Sequence, residues 1–270
     1  MAWLFGGVGV LYALSGAGYF GLLLRGDERL GRAAHWALLW ALALHFLFLI
    51  SVALFAHGTI LWSIDELLRW GSWGVAFSYV LTLQFKRRGD PKRLRALGAF
   101  VLPLVLLFFL VAGPPRGVEV PERFRSLLRL IHIASNALGL AAFAVAFATS
   151  IAYLFAERAL RRKQARTSLS RLPPLDTLDA MALRMVWLGF PLLTIGAVTG
   201  AFWAMRLDPN SPPIGWNQAM ALIEWVLFGV LLLLRVVAGW RGRRAAWGTL
   251  LGFLVGCAVL VGYAIRSGPR

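Results

Sequence analysis

Apolar residues along this chain gather into eight long runs, at about 2–24, 33–56, 60–85, 94–112, 127–156, 180–204, 217–236 and 245–265. Each run approaches or exceeds the roughly 20 residues that a helix needs to cross about 30 Å of hydrocarbon. Backbone in lipid must satisfy its own hydrogen bonds, so the pattern predicts helices rather than open strands. The expected fold is all-α: one polytopic transmembrane domain over 1–270, with about eight spans. The first run, Met1–Leu24, has no basic leader and no small-residue cleavage site before Arg25, and it reads as a retained span rather than a signal peptide.

The polar stretches between the runs set the orientation. Segments 25–32, 86–95, 157–171 and 235–244 carry three, six, six and four basic residues, 19 of the chain's 28, and each follows an odd-numbered run. The opposite set is poorer. Segment 57–59 has none, 205–216 has Arg206, and 113–126 offsets Arg116, Arg123 and Arg125 partly with Glu119 and Glu122. The excess of Lys and Arg on one side predicts that side as cytoplasmic, with both termini outside. The net charge of +16 is thereby an orientation signal and a contact for anionic lipid, not a nucleic-acid footprint.

Two external segments stand apart. Segment 205–216, MRLDPNSPPIGW, is rich in Pro and Asn and reads as an irregular loop between Trp203 and Trp216. Segment 57–73 carries three Trp, an acidic pair and Arg69, and is expected to begin as an interfacial helix before turning into the third span. Most of the other tryptophans, including Trp3, Trp36, Trp62, Trp240 and Trp247, fall at span ends, where their amphipathic rings are ordinarily enriched.

Composition narrows the chemistry. Cys257 is the only cysteine, so no internal disulfide, C-x-x-C pair or cysteine cage can form. The motifs of serine hydrolysis, zinc proteolysis and phosphoryl transfer are absent, as is a paired-carboxylate arrangement. His45 lies near the middle of the second run, where a polar group needs a partner or a cavity. It is either a haem or metal ligand or the donor of an interhelical hydrogen bond. His132, six residues into the fifth run, is either a ligand or an interfacial histidine beside Ser135 and Asn136. His57 reads as a solvated loop residue, and His35 receives no role. Arg184, one turn inside the sixth run, either snorkels, neutralises a bound anion or pairs with an acid. Glu224 needs a partner or a proton.

One stretch carries more than these single residues. LPPLDTLDAMALRMVWLGFPLLTIGAVTGAFWA, residues 172–204, closely resembles the segment before the Trp-rich motif of the cytochrome c assembly family, whose CcsA-, CcmC- and HemX-like members handle haem in the membrane. The matching details are L-x-x-L-D, Arg184, the run Gly189–Gly196, and Gly200–Ala204. Residues 223–253 resemble the two spans that follow. The resemblance implies haem held by histidine pairs, with His45 as the first intramembrane histidine and His132 as the external one of the fifth span. It also implies an external Trp-rich loop at Trp203 and Trp216, and Arg184 is a candidate to neutralise a bound anion such as a propionate.

The departures matter as well. The family's second intramembrane histidine falls on Leu233, its last external histidine has no counterpart in GYAIRSGPR, and the Trp-rich loop is degenerate. One histidine per pair leaves an open iron site, ligation completed by a partner subunit, or a fold that has lost haem. The resemblance therefore implies a multi-pass protein of a bacterial-type inner membrane that binds or passes haem beside other assembly proteins, with no bond-making step of its own. A non-haem scaffold or regulatory subunit is the alternative. A transporter with Arg184 and Glu224 along its path is a third reading, without the paired broken helices expected of one.

Overall fold

The computed structural model describes residues 2–55, 64–84, 91–115, 127–163, 168–207 and 216–267. The elements are α1 (Ala2–Arg25), α2 (Glu28–Phe55), α3 (Ile64–Gln84), α4 (Pro91–Ala96), α5 (Gly98–Ala112), α6 (Leu127–Arg161), α7 (Leu175–Leu207), α8 (Trp216–Val236) and α9 (Arg243–Ser267), with a 3-10 turn at Ser168–Arg171 before α7. No strand occurs among the described residues. The protein is a polytopic helical membrane protein.

Seven of these stretches are long and apolar enough to cross a bilayer. The expected third span coincides with α3, whose first turns hold Asp65, Glu66 and Arg69 and dilute its apolar character. The described part of the semi-polar segment, from Ile64 onward, runs continuously into α3; 57–63 lie outside the described residues. The remaining runs match their helices closely, and the main differences are extensions. α7 begins at Leu175 and α6 ends at Arg161, because a helix continues into water wherever capping and charge allow.

The helices form two groups. α1, α2, α3 and α5 pack together, and α6 to α9 form the second set, with α6 against α7 along most of its length. α6 joins the groups by packing on α3, α5 and α9 as well. Its 35 residues make it about 52 Å long, well beyond the hydrocarbon thickness. Ala137, Ala141, Ala142, Ala144, Ala146, Ala148 and Ala152 are buried on it, and these small side chains let neighbouring backbones approach closely. One connected apolar core runs from Val8 to Phe253.

The basic ends of the helices meet. α1 and α2 are joined by Gly26, with φ +75°, and Asp27, whose Oδ1 accepts from the Arg29 N–H at 2.8 Å and caps α2. Arg171 Nη1 donates to the Leu23 carbonyl at 2.7 Å, so the chain before α7 closes the last turn of α1. Tyr79 on α3 donates to the Arg95 carbonyl at 3.0 Å, and its ring meets Tyr19 of α1 edge to face. Asp179 on α7 faces Arg235 at 3.3 Å and accepts from the Gly242 N–H at 3.2 Å. Described parts of all four basic segments are thus tied to one end of the bundle.

Candidate functional site

His45 sits on α2 with none of its surface exposed. Its depth follows from the apolar run that carries it: α2 turns Leu38, Ala41, His45, Phe48 and Val52 toward the core at helical spacing. Tyr12 of α1, also fully buried, places its hydroxyl 3.0 Å from His45 Nδ1. Phe109 of α5 meets the imidazole edge to face with centroids 4.9 Å apart, and Phe48 lies one turn along α2 at 6.3 Å. Phe5 stacks on Phe109 at 4.4 Å and completes the aromatic wall. Nε2 of His45 is buried with no hydrogen-bond partner among the described residues. An orphaned ring nitrogen in an apolar site costs stability unless a ligand or a proton acceptor reaches it. Arg69 of α3 is also buried, 3% exposed.

His132 lies in the other helix group, on α6 against α7. Its Nδ1 is 2.7 Å from the Gly196 carbonyl oxygen, which only accepts, so Nδ1 carries the proton and donates. The Asn136 amide donates to the His132 carbonyl at 2.7 Å, which braces the next turn of α6. Gly196 and Gly200 receive these side chains. A Cβ on Gly200 would stand 2.6 Å from His132 Cε1, and one on Gly196 would stand 2.5 Å from Asn136 Nδ2. The glycines of the 189–200 run are therefore seats for α6, a role that sequence inspection alone left unassigned.

The structure does not bring His45 and His132 into one cluster. No group of three or more His, Cys, Asp or Glu suited to a metal ion occurs among the described residues. Leu233, the position matched to a second intramembrane histidine, is 60% exposed on α8 and faces away from the core. Arg184 lies on an exposed face of α7. Trp203 falls in the last turns of α7 and Trp216 opens α8, while their side chains and the intervening 208–215 lie outside the described residues. Glu224 packs against Gly256 of α9, where a Cβ would collide with its carboxylate, and the neighbouring Trp225 donates to Thr194 Oγ1 at 2.9 Å. His57 lies outside the described residues, whereas His35, given no role from sequence, sits 3.3 Å from the Tyr19 hydroxyl.

Comparison with known proteins decides the family. The family model described as cytochrome C assembly protein matches residues 61–267, more than half of the chain. The chain belongs to the cytochrome c assembly family. Among curated relatives, the cytochrome c biogenesis protein CcsA of Guillardia theta is 28% identical over 212 residues, covering 70% of this chain and 68% of its own. The CcsA of Gloeothece citriformis (strain PCC 7424) is 42% identical over 88 residues, which are 33% of this chain and 27% of that protein. A solved structure titled cytochrome c haem lyase CcmF superposes with a TM-score of 0.63 at 17% identity. That match covers 98% of this chain but 49% of the lyase, so the likeness is one of fold, and this chain spans about half of the longer protein.

The family match begins within the segment before α3 and takes in α6 with its His132 seat, but it leaves α1 and the His45 turn of α2 outside. The partners that sequence reasoning missed at His45 are Tyr12 and Phe109. A signal for the first was present: Tyr12, Ser15 and Tyr19 recur at helical spacing on α1, and all three are buried. For Phe109, one of many apolar residues in α5, no such signal exists.

Proposed function

We propose that the protein handles haem in the membrane during cytochrome c assembly, binding or passing it with His45 and His132 as candidate iron ligands. The observation that carries the reading is the buried, unpartnered Nε2 of His45. The donor set suits haem. One imidazole nitrogen is available to iron, aromatic walls from Tyr12, Phe48 and Phe109 surround it, and the hydroxyl of Tyr12 stands at the far ring nitrogen. When His45 Nδ1–H donates to Tyr12, the Nε2 lone pair is left for a metal and the ring orientation is held from behind. His132 Nδ1–H donates to Gly196 in the same sense.

When bound, haem supplies redox-active iron, and this chain's residues do the remaining work. Imidazoles hold it, apolar helices exclude water, and Arg184 is available to a propionate. No bond-making step is assigned to the chain's own side chains. The reading places it as a single transmembrane domain, multi-pass in a bacterial-type inner membrane beside other assembly proteins. α3 is the eighth crossing, both termini and the Trp203–Trp216 loop lie outside, and the gathered basic ends face the cytoplasm.

Titration of the purified protein with hemin tests this. A Soret band is expected to appear, and His45→Ala is expected to weaken hemin retention at least about tenfold, the loss of one axial ligand. Circular dichroism and a monodisperse elution profile establish that the variant is folded, and added imidazole is expected to restore part of the band. A wild-type protein that stays colourless with hemin would sink the proposal and favour the non-haem scaffold.

A further inference from the structure

We infer that His35, with Tyr19 behind it, is a second contact site for a carboxylate-bearing iron porphyrin, at the basic end of the α1–α2 seam; the identity of the ligand rests on the function proposed above. The seam repeats one pairing. Tyr12 of α1 sets its hydroxyl 3.0 Å from His45 Nδ1, and Tyr19, further along the same helix, sets its own 3.3 Å from His35 Nδ1. Both tyrosines have none of their surface exposed, but the histidines differ. His45 is sealed in the core, whereas His35 is half-buried. The stretch of α2 from His35 to His45 is about 15 Å long. Ser15 and Leu38, which lie between the two pairs, are fully buried, so the rings do not share one opening.

A buried phenol hydroxyl needs a partner, but that partner need not be a histidine. Ser15 meets the same need on the same interface by donating to the Ala34 carbonyl at 2.9 Å. An imidazole adds a second ring nitrogen. Among the described residues Tyr19 is the only hydrogen-bond partner of the His35 ring. With Nδ1 turned inward to Tyr19, Nε2 lies on the opposite edge of a partly exposed ring. A hydroxyl at one nitrogen steadies the ring for a metal at the other. The surroundings suit the carboxylates. Arg25 closes α1, and α4, packed on α1 and α2, brings Arg93 and Arg95 to the same end. The acids there are already engaged: Asp27 caps the Arg29 N–H, and Glu28 faces Arg32 at 3.9 Å. A cationic rim around an accessible imidazole matches a ligand with a metal at its centre and anions at its edge.

The test uses the full chain in detergent and diethyl pyrocarbonate, which acylates accessible imidazole nitrogens, with each histidine followed by mass spectrometry. In the haem-free protein His35 is expected to react while His45 stays largely unmodified. Hemin is expected to slow modification of His35 several-fold, and iron-free protoporphyrin, which keeps both carboxylates, to slow it much less. Tyr19→Phe, which keeps the ring and removes the hydroxyl, is expected to raise the hemin concentration needed for this protection about tenfold, the usual scale for losing the outer-sphere partner of a ligating histidine. Labelling of His35 that is unchanged at high hemin concentration, a reading in the wild type that requires no variant to fold, would overturn the inference. So would equal protection by iron-free protoporphyrin. A Soret band lost in His45→Ala, with His35 unprotected throughout, overturns the second site and leaves the His45 reading standing. Protection of His35 with a Soret band indifferent to His45→Ala supports the second site and overturns His45 as the ligand.

Discussion

Asp179→Ala is expected to be the most damaging single change at the basic end of the bundle, lowering stability by about 3–5 kcal/mol. Arg235 is 6% exposed, and its guanidinium faces the Asp179 carboxylate at 3.3 Å. Removing the carboxylate leaves a buried cation uncompensated, which costs far more than the pair itself contributes. The same Oδ1 accepts from Gly242 N–H, and Gly242, at φ +64°, backs onto the Tyr153 hydroxyl in the turn between α8 and α9. Loss of Asp179 therefore frees this turn as well. Steric-trapping unfolding in bicelles measures the effect. Asp179→Asn, which keeps an acceptor for Gly242 but no charge, is expected to fall between wild type and alanine. The double change Asp179→Leu with Arg235→Met is expected to recover most of the loss, because an apolar pair leaves no charge behind. Equal losses in the single and double variants would contradict this account.

Gly98→Ala is expected to cost about 2–3 kcal/mol by overpacking. Gly98 opens α5 where α1 and α3 converge, and an added Cβ would collide with the Tyr19 ring and stand 2.8 Å from the Tyr79 hydroxyl. Neither ring has room to yield. Tyr19 and Tyr79 pack edge to face at 86°, both are buried, and the Tyr79 hydroxyl is engaged with the Arg95 carbonyl. Truncating one ring should make the clash tolerable, so Gly98→Ala in a Tyr19→Ala background is expected to cost much less than alone, a coupling that the same unfolding assay reads. A full, additive loss in that background would locate the damage elsewhere.

The contrast between these sites shows what the linear sequence holds. Long apolar runs locate membrane helices because hydrocarbon imposes one length and one secondary structure. α8, for example, was expected at 217–236 and is found at Trp216–Val236. The same reasoning weakens for α3, where Asp65, Glu66 and Arg69 dilute the apolar signal. Charge counting placed Arg235 among the loop cations, yet it is drawn into the bundle by Asp179, 56 residues earlier; no local pattern encodes that distance. The candidate site divides along the same line. His45 was conspicuous because an ionisable residue in an apolar run is rare. Its cage is assembled from α1, α2 and α5, so Phe109 could not be distinguished from its neighbours. At His132 the glycines of 189–200 were visible as a motif, but that they seat particular α6 side chains is a fact of helix register.

The alanine-lined stretch of α6 bears on how this protein can change over evolutionary time. At its buried alanines within 137–152 the core presses closely upon the helix, and leucine, ordinarily the most permissible residue in a bilayer, would overpack them. Substitutions at those alanines are confined to the smallest side chains, whereas the lipid-facing surfaces of α7 and α8 are free to drift among apolar residues. Divergent descendants of this fold would therefore retain small residues at these positions of α6, and that want of bulk, rather than the apolarity α6 shares with the other spans, would mark the helix.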